Sequence, residues 1–285
     1  MEKFDASGLT FDVDDSGPAG GEVVILLHGF PATRRSWDQI TPRLVDAGYR
    51  VLAPDQRGYS PGARPHGAGA YKLRLLADDV VALADAAGAD RFHVVGHDWG
   101  GAVAWGLAGW HLDRLITMTS LATPHPRAMV RALWQSTQFA RSWYMLLFQT
   151  PRLAEALVAG RGANFFRGRL EASGLPSRYA TTYSEHLAQP GAATGGLNWY
   201  RALPLERPWE LPRARVPVLY VYGTKDVALG PKAAELTARY VEGDYRFELL
   251  EAGHWLPEER PDEVSRLVLE QLGEFSDRAG DGSLA

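Results

Sequence analysis

The sequence predicts an α/β protein: a mostly parallel central sheet flanked by helices, with an all-helical segment inserted into it. Three observations point there. Short apolar, β-branched runs bounded by turn residues recur, at Val23 to Leu27 before HGFP, Val51 to Ala53 before PDQRG and Phe92 to Val95 before GHDWG; buried parallel strands have this appearance. Helical patterns separate them, and strand and helix in alternation place helices on both faces of a parallel sheet. The alternation then stops for some eighty residues before resuming near the C-terminus.

Taken in order, LRLLADDVVALADAAGA from Leu73 to Ala89 has a helical apolar period and is closed by Gly88 before a strand begins at Arg91. After LDRLITMTSLATPHP, Pro124 and Pro126 interrupt the chain ahead of a long, tryptophan-rich helical tract expected from Ala128 to Gln149, with further helical pieces to about Ala202. Strands return at Val216 to Tyr222 and Tyr245 to Leu250, followed by a last helix from Pro261 to about Phe275 and a tail, SDRAGDGSLA, expected to fray. The expected plan is a first part of the α/β core over residues 1–125, a helical cap over 126–206 and a second part of the core over 207–285.

With 285 residues, 46% of them hydrophobic, the chain can bury a large core. Its net charge of −4, with no dense run of Lys or Arg, argues against nucleic acid or a membrane as partner. The absence of cysteine removes disulfides, thiolate nucleophiles and thiolate metal sites. The charged opening MEKFDASGLTFDVDD has no apolar signal core and no segment is long enough to span a bilayer, so a cytoplasmic location is expected, as monomer or homodimer.

Ligands of open parallel sheets bind beyond the carboxyl ends of the strands, and four polar motifs fall there: His28-Gly29, Asp98, Asp226 and His254. Asp98 is the centre of Gly96-His97-Asp98-Trp99-Gly100, a turn between strand and helix where a hydrolase nucleophile would stand, with Cβ-free neighbours where the backbone crowds. By itself an Asp there reads more simply as a helix N-cap. In chain order nucleophile, acid and histidine follow as Asp98, Asp226 and His254, the acid orienting the imidazole. Asp226 alone reads as a turn residue, and Glu251 and Asp262 are rivals for the acid role on the wrong segments. A carboxylate is poorly suited to ester cleavage but can attack a saturated carbon bearing a leaving oxygen or halide. The resulting alkyl ester is then hydrolysed by water activated through His254. The backbone N–H groups of Phe30 and Trp99 are the expected oxyanion hole.

LLHGFP, GYRVLAPDQRGYS, GHDWGG, SLATP, YGTKD and GHW come in one order over residues 21 to 270, and this set resembles the soluble epoxide hydrolases of the α/β-hydrolase superfamily. The resemblance implies the α/β-hydrolase fold with the helical insertion over 126–206 as its cap, a small apolar epoxide as substrate, no cofactor and no metal. It also implies two cap tyrosines on the epoxide oxygen, matched by Tyr144 in WYMLLFQTP and Tyr200 in GGLNWYR; phenols protonated at neutral pH can assist an opening ring. Ala122 in SLATP stands where relatives often carry Asn.

Trp99, Phe30, Pro31, Trp199 and Trp255 are the expected substrate-facing residues, although Trp99, Trp134, Trp143, Trp199 and Trp255 read equally as cavity wall or as core. His93 and His97 are expected to pack or hydrogen-bond locally, His28 to shape its loop, and Arg161, Arg167 and Arg169 to form a solvated face. Two alternatives stay open. A haloalkane dehalogenase would use the same aspartate, with Trp99 binding halide, but usually adds Asn or Trp where Phe30 stands. A catalytically silent ligand receptor on this fold would have little need of all three triad residues.

Overall fold

The structure, a computed structural model, describes residues 1–280, with side chains through Ser276. Eight strands, β1 (Lys3–Ala6), β2 (Leu9–Ser16), β3 (Val23–Leu27), β4 (Arg50–Pro54), β5 (Phe92–His97), β6 (Leu115–Leu121), β7 (Val218–Gly223) and β8 (Tyr245–Leu250), form one sheet in the order β1-β2-β4-β3-β5-β6-β7-β8. From β4 to β8 every pairing is parallel. β2 is antiparallel to both β1 and β4.

Strands β3, β5, β6 and β7 are buried along their whole length, which is why they read as unbroken apolar runs: both faces are covered. Alternate residues serve two cores. Ile25, Leu27, Leu52 and Val94 join one cluster, and Val24, Leu26, Val51 and Val95 the other, on the opposite face. The hairpin β1-β2 was not among the expected elements. Its signal is a short alternation in which Phe4 and Phe11 face each other in register with their rings stacked at 4.8 Å, interspersed with enough charge to read as a polar N-terminus.

The helices of the core are α1 (Thr41–Asp46), α2 (Leu73–Ala86) and α3 (Trp99–Trp110) in its first part. Between β6 and β7 lies the helical insertion, α4 (Pro126–Gln135), α5 (Gln138–Arg141), α6 (Trp143–Phe148), α7 (Leu153–Val158), α8 (Ala163–Ala172), α9 (Ser177–Leu187) and α10 (Ala192–Ala202). After it come α11 (Pro231–Thr237), α12 (Leu256–Glu259) and α13 (Pro261–Gly280).

Two expectations change. The long helical tract expected from Ala128 to Gln149 is divided into three short helices, α4, α5 and α6. Ser136 is extended, its hydroxyl donating to the Ala132 carbonyl and accepting from the Gln138 N–H, so a side chain takes over bonds that the helix ladder would have made. The last helix runs past Phe275 to Gly280, so the first half of the supposed tail is helical, while the remainder, DGSLA, lies outside the described residues.

Candidate active site

Asp98 occupies the sharp turn between β5 and α3 with φ 51° and ψ −120°, a conformation that L-residues avoid and that costs on the order of 1–3 kcal/mol. The glycines explain how the turn closes. A Cβ on Gly96 would lie 2.1 Å from the Gly100 carbonyl oxygen, and one on Gly100 would lie 2.0 Å from that of Leu27. Below it, the Thr123 hydroxyl donates to the Asp98 carbonyl at 2.6 Å. The Asp98 side chain does not cap its own helix. Its Oδ1 instead accepts the Phe30 N–H at 2.8 Å, from the loop after β3, where Gly29 leaves room: a Cβ there would sit 2.4 Å from the carboxylate. Of the two amides expected in the oxyanion hole, that of Phe30 is thus already on the carboxylate, and that of Trp99 opens α3 next to it.

Asp226 follows β7 and His254 follows β8. The two loops meet where Gly223 would bring a Cβ within 2.1 Å of the Gly253 carbonyl oxygen. Asp226 uses its oxygens for different tasks. Oδ1 accepts the N–H groups of Ala228 and Leu229 at 2.7 and 2.9 Å, which folds the turn, and Oδ2 accepts from His254 Nδ1 at 2.8 Å. The Nε2 edge of His254 then faces Asp98 Oδ2 at 3.4 Å. Glu251 and Asp262 are elsewhere, paired with Lys225 and Arg43.

Burial alone would lower the basicity of His254, but Asp226 first and Asp98 second more than reverse this and hold its pKa well above the ordinary histidine range. Burial likewise opposes the charge on Asp98, and the contact with His254 outweighs it, leaving that carboxyl below its usual value. The resting arrangement is therefore a buried imidazolium between two carboxylates.

Above this group sit aromatic rings from the insertion. Tyr200 on α10 packs edge-on against Trp99 at 5.1 Å, Phe30 at 5.2 Å and Phe148 at 5.0 Å, with Tyr144 of α6 at 6.1 Å. Gln149 fixes the two helices together by donating to the Tyr200 carbonyl at 2.8 Å. Burial raises the pKa of both phenols, Tyr144 and Asp98 pushing Tyr200 further and Asp98 doing the same to Tyr144, so both stay protonated at neutral pH.

The remaining expected residues divide. Phe30 and Trp99 border the same ring cluster, and Pro31 follows Phe30 through a cis peptide bond and is buried. Trp199 is fully buried, with its indole N–H on the Arg57 carbonyl at 2.8 Å and its ring against Trp99. Trp255 lies against the His254 ring and donates to the Ser173 hydroxyl of the insertion. Trp134 and Trp143 are neither cavity wall nor core but exposed. His28 does shape its loop, bonded to Gly29 and Gln56, and burial lowers its pKa. His93 and His97 pack as expected, both fully buried, but their hydrogen bonds are not local in sequence: His93 reaches Thr117, and His97 Nε2 holds the carbonyl oxygen of His254, 157 positions away. Burial drops His97 to about 4, so it is neutral and fixes the backbone of the loop that carries His254. Sequence reasoning passed over Phe148, one apolar residue among many, and the His97 bond, which no local spacing announces. At Ala122 the backbone has φ 66°, a region that Asn tolerates better than Ala, and Thr123 and Tyr220 bond around it.

Sheet order, turn and inserted helices define an α/β hydrolase. The chain belongs to the α/β-hydrolase fold family, whose model matches residues 22–261, and within it is an epoxide hydrolase-like member. It is 36% identical over 312 residues to Epoxide hydrolase A of Mycobacterium tuberculosis, covering 94% of this chain and 95% of that protein. To the AB hydrolase superfamily protein YfhM of Bacillus subtilis it is 38% identical over 274 residues, 93% of this chain and 95% of the relative. The crystal structure of Epoxide Hydrolase A from Mycobacterium thermoresistibile superposes with a TM-score of 0.81 at 32% identity over 95% of this chain and 97% of that one.

Proposed function

We propose that this protein adds water to a small apolar epoxide to give a vicinal diol, through an alkyl ester on Asp98. The observation that carries the reading is one carboxylate, Asp98, held by an amide on Oδ1 and facing His254 with Oδ2, beneath two protonated phenols. Residues 126–206 act as the cap that brings those phenols over the core, parts 1–125 and 207–285.

In the first step Asp98 Oδ2, the oxygen not bound by the Phe30 amide, attacks a ring carbon. The C–O bond of the ring breaks, and Tyr144 and Tyr200 donate to the leaving oxygen, which takes up a proton. Esterification removes the charge of Asp98. The His254 imidazolium, left with Asp226 alone, becomes more acidic, and its proton makes good the one used on the alkoxide.

In the second step neutral His254 takes a proton from water, whose oxygen attacks the Asp98 carbonyl carbon. The tetrahedral oxyanion falls on the amides of Phe30 and Trp99. Collapse releases the product hydroxyl, protonated through His254, and the second proton of that water restores the imidazolium. Protons balance over the cycle, and the water oxygen stays on Asp98 until the next turnover.

Phe30 offers no side-chain N–H to a halide, which favours the epoxide over the haloalkane. A panel of aryl and alkyl epoxides and haloalkanes, assayed for diol and for halide, tests the reading. Diol from epoxides is expected. Halide release without diol identifies a dehalogenase, and no turnover of any member favours a silent receptor.

A further inference from the structure

We propose that the outer face of α4, α5 and α6 docks on an anionic phospholipid surface. Along 138–148, Phe139 on α5 and Trp143 and Leu146 on α6 follow one another at spacings of four and three and are 67%, 62% and 65% exposed; Trp134 at the end of α4, which packs against α5, is 87% exposed. These side chains are held outward. The opposite side of α5 is fixed to the loop that carries Asp226: Gln138 is buried, accepting the Gly230 N–H at 2.7 Å and donating to the Ala228 carbonyl at 2.9 Å, while Arg141 donates to the carbonyls of Asp226 and Val227. The stripe cannot turn inward without breaking those bonds.

Charge selects the occupant. The chain as a whole is acidic, but residues 126–170 hold seven arginines against one glutamate, Glu155, and that glutamate is paired with Arg201. Arg131, Arg152, Arg161, Arg167 and Arg169, which flank the apolar positions along the chain, make no ion pair with any carboxylate among the described residues. Exposed indole rings on a segment rich in unpaired cations fit the boundary of a bilayer, where rings enter the headgroup region and guanidinium groups meet phosphates. A second copy fits less well, since a two-fold contact sets this arginine-rich segment against itself. Among the described residues no helix is long and apolar enough to cross a membrane, so the contact is peripheral. The charge of the whole chain, which argues against lipid, averages away this local excess.

Trp143 and Tyr144 are consecutive in α6, one on the outer face and the other beside Tyr200. If the proposed epoxide chemistry holds, docking places the bilayer, where apolar substrates partition, against the helix that carries a site phenol. Lipid binding itself does not depend on that chemistry.

The test uses the full chain and vesicles of phosphatidylcholine alone or with roughly a third phosphatidylglycerol, read by co-sedimentation and by tryptophan emission. Binding about tenfold stronger to the anionic vesicles, a blue-shifted emission and release by high salt are expected. The triple variant Trp134→Ser, Phe139→Ser, Trp143→Ser and the pair Arg131→Gln, Arg167→Gln should each bind at least about tenfold more weakly with unchanged circular dichroism. Absence of wild-type binding, or equal binding by both vesicle types or by the variants, overturns the proposal. So does a dimer in sedimentation velocity that the triple variant abolishes, which would assign the face to a second copy.

Discussion

Nε2 of His254 lies 3.4 Å from Oδ2 of Asp98 while its Nδ1 lies 2.8 Å from Oδ2 of Asp226, so one imidazole links two carboxylates, the three side chains coming from three separate loops. The distances differ in meaning. The shorter, nearly dry contact orients the ring, and the longer one turns the free imidazole edge toward Asp98.

His254→Gln should therefore slow ester hydrolysis by roughly 10²–10⁴-fold, far more than ring opening, in which His254 only replaces the proton that the tyrosines pass to the alkoxide. With a good epoxide, intact-mass and peptide spectra should show the substrate mass added to the peptide containing GHDWGG. An unmodified peptide from active-site-competent variant protein would contradict a covalent path.

Tyr144→Phe and Tyr200→Phe should each reduce ring opening by about 10–10²-fold, and the double variant by more than either. Because burial keeps both phenols protonated beyond the ordinary tyrosine range, wild-type activity should show no loss from phenol ionisation up to about pH 10. Stopped-flow tryptophan quenching across pH measures this. A wild-type alkaline limb below pH 9 that disappears in the double variant would contradict the assignment of those pKa directions.

A third prediction concerns the seam between insertion and core. Glu258 of α12 is buried and accepts the Tyr183 hydroxyl of α9 at 2.7 Å, and burial raises its carboxyl to about 7. The folded pKa is above the unfolded one, so its neutral form is fully retained at low pH, and stability falls as pH rises from about 4.5 through 7. Glu258→Gln keeps the acceptor and removes the titration. The variant should equal wild type near pH 5 and exceed it at pH 8 by up to about 3 kcal/mol. Melting curves at the two pH values that stay parallel for both proteins would refute this.

Legibility from sequence varied with the range of the interaction. The central strands and the residues that meet as Asp98, Asp226 and His254 each carried a local mark: an apolar run, flanking glycines, a turn after a strand. The α/β architecture with a helical insertion followed from the same marks. Tyr144 and Tyr200 had none of their own, since aromatic helix residues usually fill cores, and only resemblance singled them out. What depended on a distant partner was missed. His97 reads as a strand residue until the His254 carbonyl arrives beside it, and Trp134 and Trp143 read as cavity wall or core because exposure on a short, outward-held helix leaves no trace in composition. The break at Ser136 was hidden for a similar reason, a side chain replacing ladder bonds in a tract of good helix formers.

The most direct measurement is one turnover in heavy-oxygen water with enzyme in excess over epoxide. The account places the heavy atom in the carboxyl group of Asp98, found in the GHDWGG peptide, with unlabelled diol released first. Labelled diol from that first turnover, with the peptide unlabelled, would mean that water attacks the epoxide itself and that Asp98 never bonds to carbon.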